Sequence, residues 1–197
     1  MEIKVRIDIS ARHVHLTRES ADALFGAGYK LTEKKKIAVG ALANERLTVI
    51  GPRGRIENVA ILLPLRPETQ VELAMTDAFK LGVKAPVRLS GDVAGTAPLT
   101  LAGPAGTLEL GEGAIVAKRH VHIGPERAAA CGLTNADTVQ VRVETEERSL
   151  IFDDVAVRIC KPGKNEEVPS VHIDTDEGNA AGISGWIEAV MLVPEKP

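Results

Sequence analysis

The sequence predicts a mainly β protein with short α-helices, built as two small β-barrel domains. Three observations lead there. Short alternating runs of Val, Ile, Leu and Thr recur along all 197 residues, the period-two pattern of half-buried strands. Turns rich in Gly and Pro separate them, and those at 51–54 and 103–106 share the form Gly-Pro-x-Gly. An Arg-His-Val-His segment occurs at 12–15 and again at 119–122 with similar surroundings, so the chain reads as two related halves. Many short strands with a few brief helices fit barrels.

Met1–Ser10 alternates as a strand. It has neither the apolar stretch of a signal peptide nor an amphipathic leader. Arg12–Leu16 is a strand that delivers its histidines to a short helix, capped by Thr17 and ended by Gly26 or Gly28. Arg46–Ile50 and Arg55–Leu62 form a hairpin, as do Leu99–Ala102 and Thr107–Leu110. Thr69–Leu73 alternates as a strand, and Thr76–Leu81 makes one helical turn stopped by Gly82. Arg119–Ile123 repeats the strand-to-helix design, with Pro125 at the first helical position and Gly132 past the end. Thr138–Val143, Val155–Ile159 and Gly185–Val193 are late strands. Val171–Ile173 repeats the design once more, running into a helix capped by Asp174 or Thr175 with acids in its first turn.

Composition narrows the function. A net charge of −3, with no basic stripe interleaved with aromatics, argues against nucleic acid as a partner. No apolar run approaches membrane-spanning length. With one Trp, one Tyr and three Phe, the cores must be built from Val, Leu, Ile and Ala. Cys131 and Cys160 lie far apart in no Cys-x-x-Cys arrangement, and read as two buried free thiols in a reducing cytosol.

The histidines carry the chemistry. All five lie in near-identical contexts: His13 and His15, His120 and His122, and His172 in Val-His-Ile. Residues i and i+2 of a strand point the same way, so each pair presents two imidazoles to one side. That arrangement suits a divalent metal with nitrogen ligands at roughly 2.0–2.1 Å. A solvated strand end would explain the strands but not the recurrence. Glu72, in an otherwise neutral strand, is the best candidate for an added carboxylate ligand. Arg66, held between Pro64 and Pro67, is placed to bind an oxyanion.

The segments Ser10–Leu16, Gly51–Val59, Pro64–Arg66, Thr69–Glu72, Thr76–Phe79, Leu81–Arg88, Ser90–Asp92, Arg119–His122 and His172–Gly182 together resemble the phosphate acyltransferases (phosphotransacylases, phosphate propanoyltransferases) of the PduL type. The resemblance covers nearly the whole chain. It implies reversible conversion of a short-chain acyl-CoA, propionyl-CoA or acetyl-CoA, and phosphate into acyl phosphate and CoA. It implies two divalent metal ions, most often zinc: one on His13 and His15, the other on His120, His122 and His172, with Glu72 bridging them and Arg66 binding phosphate. It further implies a homodimer whose active site lies between two barrels, one formed by 1–11 with 118–197 and the other by 12–117. Ser10, Asn179 and, from the partner subunit, Phe79 match positions that contact CoA in the family. Members housed in bacterial microcompartments carry an extension ahead of the first strand. This chain begins close before His13, so it reads as a free cytoplasmic member or as one whose extension has been removed.

Two other readings compete. Both motifs continue as His-x-His-x-x-x-Glu, through Glu19 and Glu126, the spacing of a cupin-like metalloprotein. Those acids also fall in helix first turns, where acids are expected anyway. A zinc-stabilised module without catalysis would favour Cys ligands, and the candidate site of histidines and Glu72 has none.

Overall fold

The computed structural model describes residues 1–37, 40–162 and 167–194. The chain divides into two compact units, Met1–Ser10 with Lys118–Pro197 and Ala11–Ala117. Strand β1 (Glu2–Ile9) belongs to the first. The second follows it in sequence: β2 (His13–His15), α1 (Arg18–Phe25), β3 (Glu33–Ile37), β4 (Gly40–Ile50), β5 (Arg55–Leu63), β6 (Gln70–Leu73), α2 (Met75–Leu81), β7 (Val87–Arg88), β8 (Ala97–Gly103) and β9 (Gly106–Ala117). The first unit then resumes with β10 (His120–Ile123), α3 (Pro125–Ala130), β11 (Thr138–Val143), β12 (Leu150–Ile159), β13 (Ser170–Ile173), α4 (Thr175–Ala180) and β14 (Trp186–Leu192).

Each unit is a closed barrel, and the wiring of the two is the same. In the Ala11–Ala117 unit the ring runs β4-β5-β2-β6-β9-β8 and returns to β4. In the other it runs β11-β12-β10-β13-β1-β14 and returns to β11. Each strand with a His pair lies parallel to one neighbour and antiparallel to the other: β2 between β5 and β6, β10 between β12 and β13. Closure leaves these strands no free edge. The cores are aliphatic as composition requires: Val14, Leu47, Ile61 and Leu101 in one, Ile7, Val121, Ile173 and Met191 in the other, with Phe152 the sole aromatic among their buried members. Each such side chain contributes about 1.5–3 kcal/mol by leaving water.

The helices follow their sequence signals. Thr17 caps α1, accepting a hydrogen bond from the Ser20 amide, and Gly26 closes the helix. Pro125 opens α3, and Asp174 rather than Thr175 caps α4, accepting from the amides of Asp176 and Glu177. Helix α2 is longer than the single turn expected, spanning Met75–Leu81 before Gly82 adopts the left-handed conformation. Several strands also outrun the alternating pattern. β4 shifts register between Leu42 and Arg46, and β12 passes through Asp154 at φ 51°. Such irregularities interrupt the period-two signal without ending the strand. β3 carries the Lys-rich run Glu33–Ile37, exposed throughout. Its lack of an apolar face hid it in the sequence, and lysines are a common guard on a sheet edge. Cys131 and Cys160 are only partly buried. The expectation of two buried thiols is corrected: one closes α3 and the other follows the end of β12.

Candidate metal centres

In both barrels the central valine of the motif, Val14 or Val121, is fully buried in the core, which turns the flanking histidines to the opposite side. The first member of each pair is fixed by its own backbone. His13 Nδ1 lies 2.9 Å from the Ala11 carbonyl oxygen and His120 Nδ1 2.9 Å from that of Lys118. A carbonyl only accepts, so Nδ1 donates in each case, and in the neutral ring Nε2 is the nitrogen with the lone pair. These nitrogens face their neighbours: His13 Nε2 is 3.2 Å from His15 Nε2, and His120 Nε2 is 3.1 Å from His122 Nε2.

Each pair gains a third group from the adjacent antiparallel strand at the same register. His13 stands opposite Glu72 on β6, and His120 stands opposite His172 on β13. His172 therefore repeats the position of Glu72 and not that of another His-x-His strand. Among the described residues, His13, His15 and Glu72 form one group able to hold a metal, and His120, His122 and His172 form another. In the first, the Glu72 oxygens lie 3.4 Å from His13 Nε2 and 3.4 Å from His15 Nε2. Ligand atoms about 2.0–2.1 Å from a tetrahedral ion stand roughly 3.3 Å from one another, so the three atoms are spaced as a metal requires. His15 Nδ1 is buried with no hydrogen-bond partner.

The electrostatics match. Burial alone would raise the pKa of Glu72, but His13 and His15 outweigh it and hold the carboxyl well below the usual range. Burial works against a proton on His13, yet the Glu72 carboxylate prevails and raises the pKa; the same field attracts a cation. Burial lowers His15. In the second trio, burial and then the neighbouring His120 and His172 push His122 down to about 3, which favours a neutral ring with one nitrogen lone pair to give. Both trios fit a divalent ion with nitrogen-rich ligands.

The recurring arginine has a structural task that sequence reading missed. Arg12 Nε donates to Asp77 Oδ1 at 2.8 Å, and Arg119 donates to Glu177 Oε1 at 2.6 Å. Asp77 and Glu177 sit at the same offset past the third ligand of each trio, and each carboxylate also accepts the backbone N–H at the start of its helix, Ala74 or Asp174. Each arginine thereby ties its His strand to the helix leaving the third-ligand strand. The matched offset was the available signal. Asp77→Ala should lower unfolding stability by about 1–3 kcal/mol through loss of cap and ion pair. Urea unfolding checks this, and an unchanged midpoint would show the clamp to be idle.

Arg66 is brought to the first trio. Its backbone N–H donates to the Leu16 carbonyl at 2.8 Å, and its guanidinium donates to Ser90 Oγ at 2.9 Å. Its charge opposes protonation of both His13 and His15. Gln70, another residue the sequence did not mark, donates to Glu72 Oε1 at 2.6 Å and to Ser90 Oγ at 2.9 Å. Of the CoA candidates, Ser10 follows β1 and donates its N–H to the Ile173 carbonyl at 2.7 Å. Asn179 is exposed on α4. The neighbours of these two residues touch, because Gly178 packs on Ile9 so closely that a Cβ would fall 2.7 Å from its Cδ1. Phe79, on α2 of the other unit, is 77% exposed. Glu19 and Glu126 are exposed in the first turns of α1 and α3 and join neither trio. The cupin-like spacing is therefore a by-product of helix starts.

Comparison with known proteins places the chain. The phosphate propanoyltransferase family model matches residues 6–184. The phosphate propanoyltransferase of Thermotoga maritima is 48% identical over 177 residues, 89% of this chain and 82% of that one. That of Lachnoclostridium phytofermentans is 47% identical over 182 residues, 91% of this chain and 83% of its own. The Listeria monocytogenes protein of the same name is 43% identical over 198 residues, 100% of this chain and 91% of its own. With two barrels of one wiring and a ligand trio in each, the chain belongs to the phosphate propanoyltransferase family and is an enzyme, a phosphate acyltransferase.

Proposed function

We propose that the enzyme reversibly converts a short-chain acyl-CoA, propionyl-CoA or acetyl-CoA, and inorganic phosphate into acyl phosphate and CoA, with a divalent ion, most readily zinc, on each trio. The observation that carries the reading is the pair of trios at equivalent register, one with atoms spaced 3.2 to 3.4 Å apart. Bound metal supplies positive charge and Lewis acidity for the phosphate, the carbonyl and the departing sulfur. The protein groups do the rest. The Arg66 guanidinium, steadied by Ser90, holds a phosphate oxyanion by charge-assisted hydrogen bonds. A phosphate oxygen attacks the thioester carbonyl carbon, the carbon–sulfur bond breaks, and CoA leaves as its thiolate. Phosphate is already ionised at neutral pH, so no general base is required. Holding two anionic substrates together offsets their repulsion and the entropy of encounter.

The remaining roles follow the family resemblance: Glu72 as a ligand that also bridges to the second ion, Ser10 and Asn179 as CoA contacts, and Phe79 as a CoA contact given by the partner subunit of a homodimer. The exposure of Phe79 supports the last. No described helix is long and apolar enough to cross a membrane.

Protein purified without chelator should contain two ions per chain by elemental analysis. An active preparation with one ion or none would overturn the two-metal reading. Coupled assays across acetyl-, propionyl- and butyryl-CoA should show phosphate-dependent release of CoA, fastest with acetyl- or propionyl-CoA. No release with any of the three would overturn the reaction.

A further inference from the structure

We propose that Gln70 is the positioning residue of the first trio: its amide sets the Glu72 carboxylate for metal binding and couples it to Arg66. The inference rests on the metal-centre reading above. Gln70 is 1% exposed and lies two residues before Glu72 on β6, so both side chains project to the same face.

The orientation of its amide is dictated from outside. The backbone N–H of Gly91 approaches one end at 2.7 Å. A backbone N–H can only donate, so that end is the carbonyl oxygen and the –NH2 faces the other way. Both of its hydrogens are then used, one on Glu72 Oε1 at 2.6 Å and one on Ser90 Oγ at 2.9 Å. Ser90 Oγ also receives the Arg66 guanidinium at 2.9 Å. A continuous line of hydrogen bonds thus runs from the carboxylate to the oxyanion-binding arginine. The short bond to an ionised acceptor is of the strong kind. It restrains a flexible Glu side chain while leaving Oε2 directed at His13 Nε2, 3.4 Å away.

The other barrel repeats the device with different residues. Ser170 stands opposite His122 on β13, as Gln70 stands opposite His15 on β6. Its Oγ lies 3.1 Å from His172 Nε2 and donates to Asp8 Oδ2 at 3.1 Å. In both units the residue two places before the third ligand holds that ligand. Groups that anchor metal ligands in this way typically govern affinity by about ten- to a hundredfold.

The test uses full-length protein stripped of metal and titrated with Zn2+ against a chromophoric chelator. Gln70→Met keeps the volume and loses the donors; Gln70→Asn keeps the amide but withdraws it. Each should weaken one ion by about ten- to a hundredfold, the same ion that His13→Ala loses, and affect the other less. Ser170→Ala should weaken the other ion instead. A folded Gln70→Met protein that binds both ions with wild-type affinity would overturn the proposal. So would failure of both Gln70 variants to fold, which would make the residue a part of the barrel core. Wild-type protein that takes up no ion would overturn the metal-centre reading, and this one with it.

Discussion

Glu72→Gln should release the ion held with His13 and His15, weaken the second ion, and lower turnover by more than roughly a hundredfold, the upper range for loss of a mere outer partner of a metal ligand. Glu72 is 7% exposed, and His13 and His15 hold its carboxyl well below the usual range. The amide is nearly isosteric but neutral, and it would put an N–H2 beside Nε2 lone pairs or against the Gln70 amide. Metal stoichiometry with circular dichroism measures the effect on a protein that should remain folded, because each barrel has its own apolar core. Loss confined to the first ion would remove the bridging role. Two tightly bound ions with near-normal turnover would remove Glu72 from the ligands altogether. His13→Ala and His172→Ala are the selective counterparts, each emptying its own trio first.

Arg66→Ala should raise the KM for phosphate by about ten- to a hundredfold, the loss of one charge-assisted anion contact, with little change for acyl-CoA. The side chain is anchored on Ser90, so the variant removes the oxyanion contact and leaves the Glu72–Gln70–Ser90 hydrogen bonds in place. Arg66→Lys should recover little, because a single ammonium cannot present two parallel N–H bonds. Steady-state kinetics with each substrate varied decides. Equal effects on phosphate and acyl-CoA would assign Arg66 a structural part.

Much of this is legible in the sequence. The two-barrel architecture followed from strand alternation and the repeated motif, because closed barrels of short strands leave a regular trace in sequence. The histidines announced themselves because strand geometry maps i and i+2 onto one face. Other features were hidden for physical reasons. β4 and β12 bend through register shifts and a left-handed Asp154, so their alternation breaks while their pairing continues. The equivalence of Glu72 and His172 is a matter of cross-strand register, which no single strand encodes. Gln70 and Ser90 are ordinary polar residues whose importance arises only when β6 and the loop at Ser90 meet. Arg12 and Arg119 stand out as a repeat, but their partners Asp77 and Glu177 lie in helix first turns, where acids are expected anyway.

The placement of β1 has a consequence for how the chain is made. It leaves the ribosome before the other described strands, yet its partners are β13 and β14, the last of them. The intervening barrel, Ala11–Ala117, holds all of its own strands and can close during translation. Until Ser170–Ile173 and Trp186–Leu192 have emerged, β1 waits with its backbone groups unpaired. Its alternating charged face, Glu2, Lys4, Arg6 and Asp8, keeps that waiting strand soluble and discourages pairing with a neighbouring nascent chain. A message truncated before residue 170 would therefore yield one finished barrel and an orphan strand, with the second His-x-His pair made but its barrel never closed.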